Sequence, residues 1–223
     1  GSGKSTLLNQ LAGLEKPTMG KVYIGQTNIS LLTEDQLAGF RQKNIGFVFQ
    51  SYNLLPSMSA IENVAMPMLF RGTPKELREK EAITMLKKVG LGSRMRHKPS
   101  EMSGGQQQRV GIARAFVAHP KIVFADEPTG NLDSRTTIEV MRLLVSMSHQ
   151  YGITFVLVTH DNELASYADR IITIKDGALV SDRINPKPAY LLSDEDVEKR
   201  LALPDTELTS KHLTACGAVS PRG

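Results

Sequence analysis

Two hydrophobic rhythms alternate along this chain. The first is the short, nearly continuous apolar run closed by polar residues: Ile45-Gly46-Phe47-Val48-Phe49 before Gln50, Lys121-Ile122-Val123-Phe124-Ala125 before Asp126-Glu127, and Ile153 to Thr159 before His160-Asp161. Runs without alternation belong to strands buried on both faces, so they predict the interior of a mainly parallel sheet. The second rhythm returns every three or four residues and predicts helices. It holds Leu7, Leu8 and Leu11, with Gly13 as a stop; a short helix toward Arg41 behind the capping box Thr33-Glu34-Asp35-Gln36; the face Ala82, Met85, Leu86 and Val89; the stretch after Gly105 through Ala118; and about Ser134 to His149.

The two rhythms are not evenly mixed. Lys21-Val22-Tyr23-Ile24 alternates as a strand ended by Gly25 and predicts part of a small antiparallel β layer. Between about 51 and 108 strand signals stop and helical patterns take over, which predicts a helical subdomain inserted between two sheet elements. Thr73-Pro74-Lys75-Glu76 there reads as an N-cap, a proline at the first helical position and a capping-box glutamate, with Gly90 ending the helix. The methionines Met58, Met66, Met68, Met85, Met95 and Met102 gather in this insert, as adaptable packing or as a protein-binding surface. Further on, Lys175-Asp176-Gly177 between two apolar runs is a hairpin signal. One main domain is expected over 1–183. Residues 184–223 are expected to be an extension, with a short helix from Ser193 and a mobile stretch from Thr209 to Gly223.

Composition narrows the classes. Of 223 residues, 40% are apolar and 22% charged, enough for a real core; the formal charge of +4 suits an anionic ligand. The basic residues are scattered among acids, so nucleic acid is not expected as a partner. No apolar run approaches the ~20 residues that span a bilayer, no signal-peptide pattern opens the chain, and a single Cys216 excludes an internal disulfide framework and a cysteine-based zinc site. A reduced, cytosolic, soluble protein is expected.

Candidate chemistry sits where the rhythms change. The opening Gly1-Ser2-Gly3-Lys4-Ser5-Thr6 is the second half of a phosphate-binding loop: backbone N–H groups cradle phosphates, Lys4 reaches the terminal ones and Ser5 ligates magnesium. The first glycine of that pattern and the strand feeding it are missing from the chain. It therefore reads as an N-terminally incomplete copy, with a sheet short of one central member, poor stability and weak activity. Ser103-Gly104-Gly105-Gln106 opens a helix. By itself it is either a Gly-Gly turn with Ser103 as cap or a lip whose free N–H groups and helix dipole hold an anion. Asp126, at the tip of a buried strand, suits a magnesium partner to Ser5, and Glu127 can orient or deprotonate a water. Adjacent acids are commonly a solvated turn, and a histidine at a strand end, as at His160, is commonly structural.

Taken in order, the motifs resemble the nucleotide-binding subunit of ABC transporters. Gly3-Lys4-Ser5-Thr6 looks like the end of Walker A, Gln50 the Q-loop, Ser103-Gly104-Gly105-Gln106 the signature, Asp126 and Glu127 Walker B and its glutamate, Asp133 the D-loop aspartate, and His160 the switch histidine. Gly13-Leu14-Glu15-Lys16-Pro17-Thr18, Asn44 to Gln50 and Glu127 to Asp133 are similar to the subfamily of lipoprotein release, macrolide export and antimicrobial-peptide resistance. Met102 departs from the usual leucine, a volume-conserving change. The aromatic residue that stacks on adenine in this family lies upstream of Walker A.

The resemblance implies an α/β fold: a P-loop NTPase core with a mainly parallel central sheet, a partial antiparallel β layer and an inserted helical subdomain. It implies ATP hydrolysis with Mg2+. Glu127, His160 and Gln50 would serve catalysis. Gly1 to Thr6, Ser103 to Gln106 and Asp133 would bind nucleotide, and Ser5, Gln50 and Asp126 the metal. Two copies would meet head to tail at the cytoplasmic face of the membrane, each nucleotide lying between Lys4 of one and Ser103–Gly105 of the other, and drive a separate permease docked near Gln50 and the helical insert. A regulatory switch acting on a membrane partner without transport, as in cell division, is the alternative. A soluble repair or translation ATPase would carry two cassettes or a long coiled-coil insertion, and a P-loop kinase gives no reason for Ser103 to Gln106.

Overall fold

The computed structural model describes residues 3–191 and the backbone of a strand at Ala215–Val219. Gly1, Ser2 and the helix expected from Ser193 lie outside the described residues. Helix α1 (Lys4–Leu11) leads to a two-stranded antiparallel ribbon, β1 (Tyr23–Ile24) with β2 (Thr27–Asn28), and then to α2 (Glu34–Asn44) and β3 (Ile45–Phe49). The ribbon is shorter than the Lys21–Ile24 strand expected. Helices α3 (Ala60–Phe70), α4 (Lys75–Lys88) and α5 (Gly104–Phe116) separate β3 from β4 (Ile122–Asp126). Next come α6 (Ser134–Tyr151), β5 (Thr154–Thr159), the short α7 (Asn162–Ala165), and the hairpin β6 (Arg170–Lys175) with β7 (Ala178–Ile184). Strand β8 (Ala215–Val219) closes the order.

Local chemistry explains most boundaries. Thr33 and Gln36 form the expected reciprocal capping box at α2. Ser59 and Glu62 do the same at α3, although its Ser-Ala-Ile-Glu spelling was not singled out in the sequence. At α4 the expectation fails by one position: Pro74 itself is the N-cap, and no side chain caps the helix. Thr73 therefore plays no capping part. Gly90 follows α4 at φ 77°, the left-handed conformation that a helix-ending glycine adopts without a Cβ penalty.

The sheet order is β3-β4-β5-β8-β6-β7, with β3, β4 and β5 parallel and in register. Period-two alternation sends successive side chains to opposite faces. Val48, Val123, Ala125, Phe155 and Leu157 pack into the large core with α3 to α6. Phe47, Ile122, Phe124, Val156 and Val158 pack with Leu8, Leu11 and Ala12 of α1. Helices on both faces account for the uninterrupted apolar runs.

Strand β8 lies within the stretch from Thr209 that was expected to be mobile: Ala215–Val219 pairs antiparallel with both β5 and β6. Those two strands run parallel to each other with a one-strand gap between them. Their facing N–H and C=O groups need partners, and any extended segment supplies them regardless of side chains.

Candidate functional site

Register decides where the chemistry gathers. Phe49 lies opposite Asp126, and Asp126 opposite Val158, so three parallel strands end level. Gln50, Glu127 and the pair Thr159-His160 follow immediately, placing the amide, acids and imidazole on one carboxyl edge, where open α/β sheets hold ligands. Asp126 continues the alternation of Ile122 and Phe124 and so projects to the α1 face. Burial raises its carboxyl above the ordinary carboxylate range, Glu127's charge adds to this, and the Lys4 ammonium opposes both.

Glu127 turns the chain. Its φ is 45°, a costly conformation for a residue with a Cβ, and its backbone N–H donates to Val158 O at 2.9 Å. The carboxylate accepts the His160 backbone N–H at 2.9 Å, His160 Nδ1 stands 2.6 Å from Glu127 Oε1, and Thr159 Oγ1 lies 3.2 Å from Oε2. Gln50 belongs to the same edge: Asn131 Nδ2 donates to its carbonyl at 3.1 Å, and its side-chain amide packs against Gly130.

Helix α1 opens at Gly3, whose φ of 82° no residue with a side chain adopts readily. No side chain caps this helix and no acid sits in its first turn. The first-turn amides of a helix with such a start face the positive end of the helix dipole, the arrangement that favours an anion.

The signature turn forms a second cluster. Ser103 caps α5 in a capping box: its Oγ accepts from Gln106 N at 3.3 Å, and Gln106 Oε1 accepts from Ser103 N at 3.1 Å. A Cβ at Gly104 would lie 2.8 Å from the Tyr52 hydroxyl, and one at Gly105 2.7 Å from the Thr136 methyl. Asp133 caps α6, accepting from Thr136 N at 2.9 Å and Thr136 Oγ1 at 2.7 Å. Ser103 to Gln106 and Asp133 are thus gathered around Tyr52 and Thr136.

Two ties connect the clusters and a third joins α5 to α6, and the sequence did not announce them. Arg114 of α5 donates to the carbonyls of Tyr52 at 2.7 Å and Asn53 at 2.5 Å, two consecutive residues at φ 59° and 49° just past Gln50. Buried Gln108 donates to Pro128 O at 2.5 Å, in the loop after Glu127. Arg109 pairs with Glu139 of α6 at 2.7 Å. Tyr52 and Asn53 carry no glycine signal, so nothing local marked the bend that Arg114 holds.

A phosphate-type helix start beside a parallel-sheet edge carrying acid, amide and imidazole, with a second glycine-opened helix, defines a P-loop ATPase cassette. The family model described as ABC transporter matches residues 1–130, and the chain belongs to the ABC transporter family. It is 48% identical over 185 residues to a macrolide export ATP-binding/permease protein of Vibrio parahaemolyticus, covering 83% of this chain and 28% of that protein. The chain thus spans little more than a quarter of that relative. It is 49% identical over 180 residues to an ABC transporter ATP-binding protein of Methanocaldococcus jannaschii, covering 81% of this chain and 80% of the other. A solved dimeric ATP-binding cassette in a post-hydrolysis state, bound to ADP and Pi, matches with a TM-score of 0.74 at 44% identity, over 82% of this chain and 81% of that one.

Proposed function

We propose that this chain is the ATP-binding and ATP-hydrolysing part of a membrane exporter, working as a head-to-tail pair. The observation that carries the reading is the level edge at which Gln50, Asp126, Glu127 and His160 meet, with the Lys4 charge acting on Asp126. Phosphoryl transfer needs positioning and charge stabilisation more than covalent chemistry. The α1 amides and Lys4 of one copy supply positive charge to the phosphates, and the α5 start at Ser103–Gly105 of the second copy closes over them. Glu127 orients and polarises the attacking water. His160 and Gln50 contact the γ-phosphate and its surroundings, and Asp133 acts across the pair.

Ser5, Gln50 and Asp126 offer only oxygen donors with a single carboxylate, which fits Mg2+ held partly by phosphate oxygens and water. When bound, the ion neutralises phosphate charge developing in the transition state.

No helix among the described residues is long and apolar enough to cross a membrane, so the spanning part is assigned to other residues or another chain. Its docking place is the cavity of about 530 Å³ between the sheet and the helical insert, lined by Leu14, Gln42, Phe47, Pro67, Phe70 and Arg114. Phe70 is 66% exposed there, and Arg114 on the same wall holds the backbone after Gln50. A permease segment seated in the cavity would bear directly on the Gln50 loop. The protein would then sit peripherally at the cytoplasmic face.

The deciding experiment is Glu127→Gln in the full-length protein. It should bind ATP, pair with a second copy and hydrolyse at well under a hundredth of the normal rate, about the contribution of a positioned general base. Unchanged turnover would remove Glu127 from the mechanism.

A further inference from the structure

Thr159 directly precedes the histidine at the end of β5 and is wholly buried. A threonine hydroxyl has one proton to donate and lone pairs to accept with. Here one acceptor position is already committed, because the backbone N–H of Asp161 donates to Thr159 Oγ1 at 3.0 Å. Among the described residues, the acceptor of the hydroxyl proton is Glu127 Oε2, 3.2 Å away. The bond's direction is therefore set: Asp161 N–H to Thr159 Oγ, and Thr159 O–H to the carboxylate.

The rest of the chain makes this more than incidental packing. Asp161 caps α7, its Oδ1 accepting from Glu163 N at 2.7 Å, so the N–H that fixes Thr159 is itself fixed. Glu127 Oε1 meets His160, whose ring is 78% exposed. Oε2 is held from the buried side. When His160 moves, Thr159 is the side chain that still orients the carboxylate plane.

We infer that Thr159 is a positioning residue for hydrolysis, acting through Glu127; the inference rests on the reading of Glu127 given above. A carboxylate left to rotate would spend less time aligned with the water, so the loss falls on kcat and leaves nucleotide affinity alone.

The test is steady-state ATPase activity of the full-length protein in a graded series. Thr159→Ser keeps the donor and should retain kcat. Thr159→Cys keeps a weaker donor at similar size and should fall between. Thr159→Val removes the donor and should lower kcat about tenfold with KM for ATP unchanged, as expected for one hydrogen bond to a charged group. If Thr159→Val does not fold, the cysteine step decides. Thr159→Val added to Glu127→Ala should cost nothing further in single-turnover rate, because the acceptor of its hydrogen bond is gone. Wild-type kcat in both the valine and cysteine variants, or the same loss in both backgrounds, would overturn the proposal. Normal turnover by Glu127→Gln alone would instead remove the reading beneath it.

Discussion

Glu127 Oε1 lies 2.6 Å from Nδ1 of His160 and 2.9 Å from the same residue's backbone nitrogen. A carboxylate can only accept, so in this pair Nδ1 carries the proton. The strained φ of 45° at Glu127 aims its side chain back over the end of β5, where this double contact forms. The acid is thus held against the imidazole.

His160→Ala should therefore free Glu127 as well as remove the γ-phosphate contact proposed for the imidazole. The expected result is about a hundredfold loss in single-turnover hydrolysis, of the order assigned to a positioned acid–base group, with ATP binding retained. Rapid-quench kinetics beside an equilibrium binding titration separate the two.

Gly130→Ala should act on Gln50 rather than on folding. The added methyl would lie 2.6 Å from Gln50 Nε2, at the far end of a flexible side chain that can swing aside. Unfolding free energy should change by less than about 0.5 kcal/mol, the usual range for a surface site. ATPase activity should fall, and urea titration with an activity assay reads both.

Gly46→Ala makes the opposite case. Its methyl would run into the backbone carbonyl of Ala115 on α5, which cannot turn away without moving the helix. A loss of about 3 kcal/mol is expected, the upper part of the overpacking range, and appears as a lower urea midpoint.

Arg114→Met should loosen the loop after Gln50. Two charge-assisted hydrogen bonds to Tyr52 O and Asn53 O disappear, and two left-handed residues lose their restraint. Burial already pushes the Arg114 guanidinium below its ordinary value, so the apolar replacement recovers desolvation and the net cost should stay near 2 kcal/mol. Hydrogen exchange at Ser51 to Leu54 should quicken more than elsewhere.

Asp126→Asn should raise the melting temperature of the nucleotide-free protein at neutral pH while abolishing Mg2+-dependent hydrolysis. Burial, then Glu127's charge, raises the Asp126 carboxyl in the folded state, so folding favours its protonated form. As pH rises from the unfolded carboxylate value through the raised folded one, the wild type loses stability that asparagine keeps. The advantage of Asp126→Asn should accordingly vanish below about pH 4, where the unfolded aspartate is also protonated. Melts across pH 3 to 8 check this.

The motifs were legible because each rests on local chemistry. Gly3-Lys4-Ser5 and Ser103-Gly104-Gly105 need glycine beside a helix start, and Asp126-Glu127 and His160 end apolar runs, so residue type and spacing alone marked them. The parallel sheet was readable for the same reason, since apolar runs without alternation require cover on both faces. Thr73 misled because proline at Pro74 fits either the cap or the first helical position.

Arg114, Thr159 and Gln108 stayed hidden. Their partners are Tyr52, Glu127 and Pro128, up to 62 residues away, and a contact across that distance leaves no period or turn signal in the chain. Strand β8 was hidden for a related reason. The sequence by itself determined on which kind of element the glycine-opened helix starts, the acids and the imidazole stand. Only the tertiary structure decided that Phe49, Asp126 and Val158 end level, and that the gap between β5 and β6 is filled from the tail. Register and strand pairing are set by backbone hydrogen bonds between distant segments, which side-chain order within any one segment does not encode.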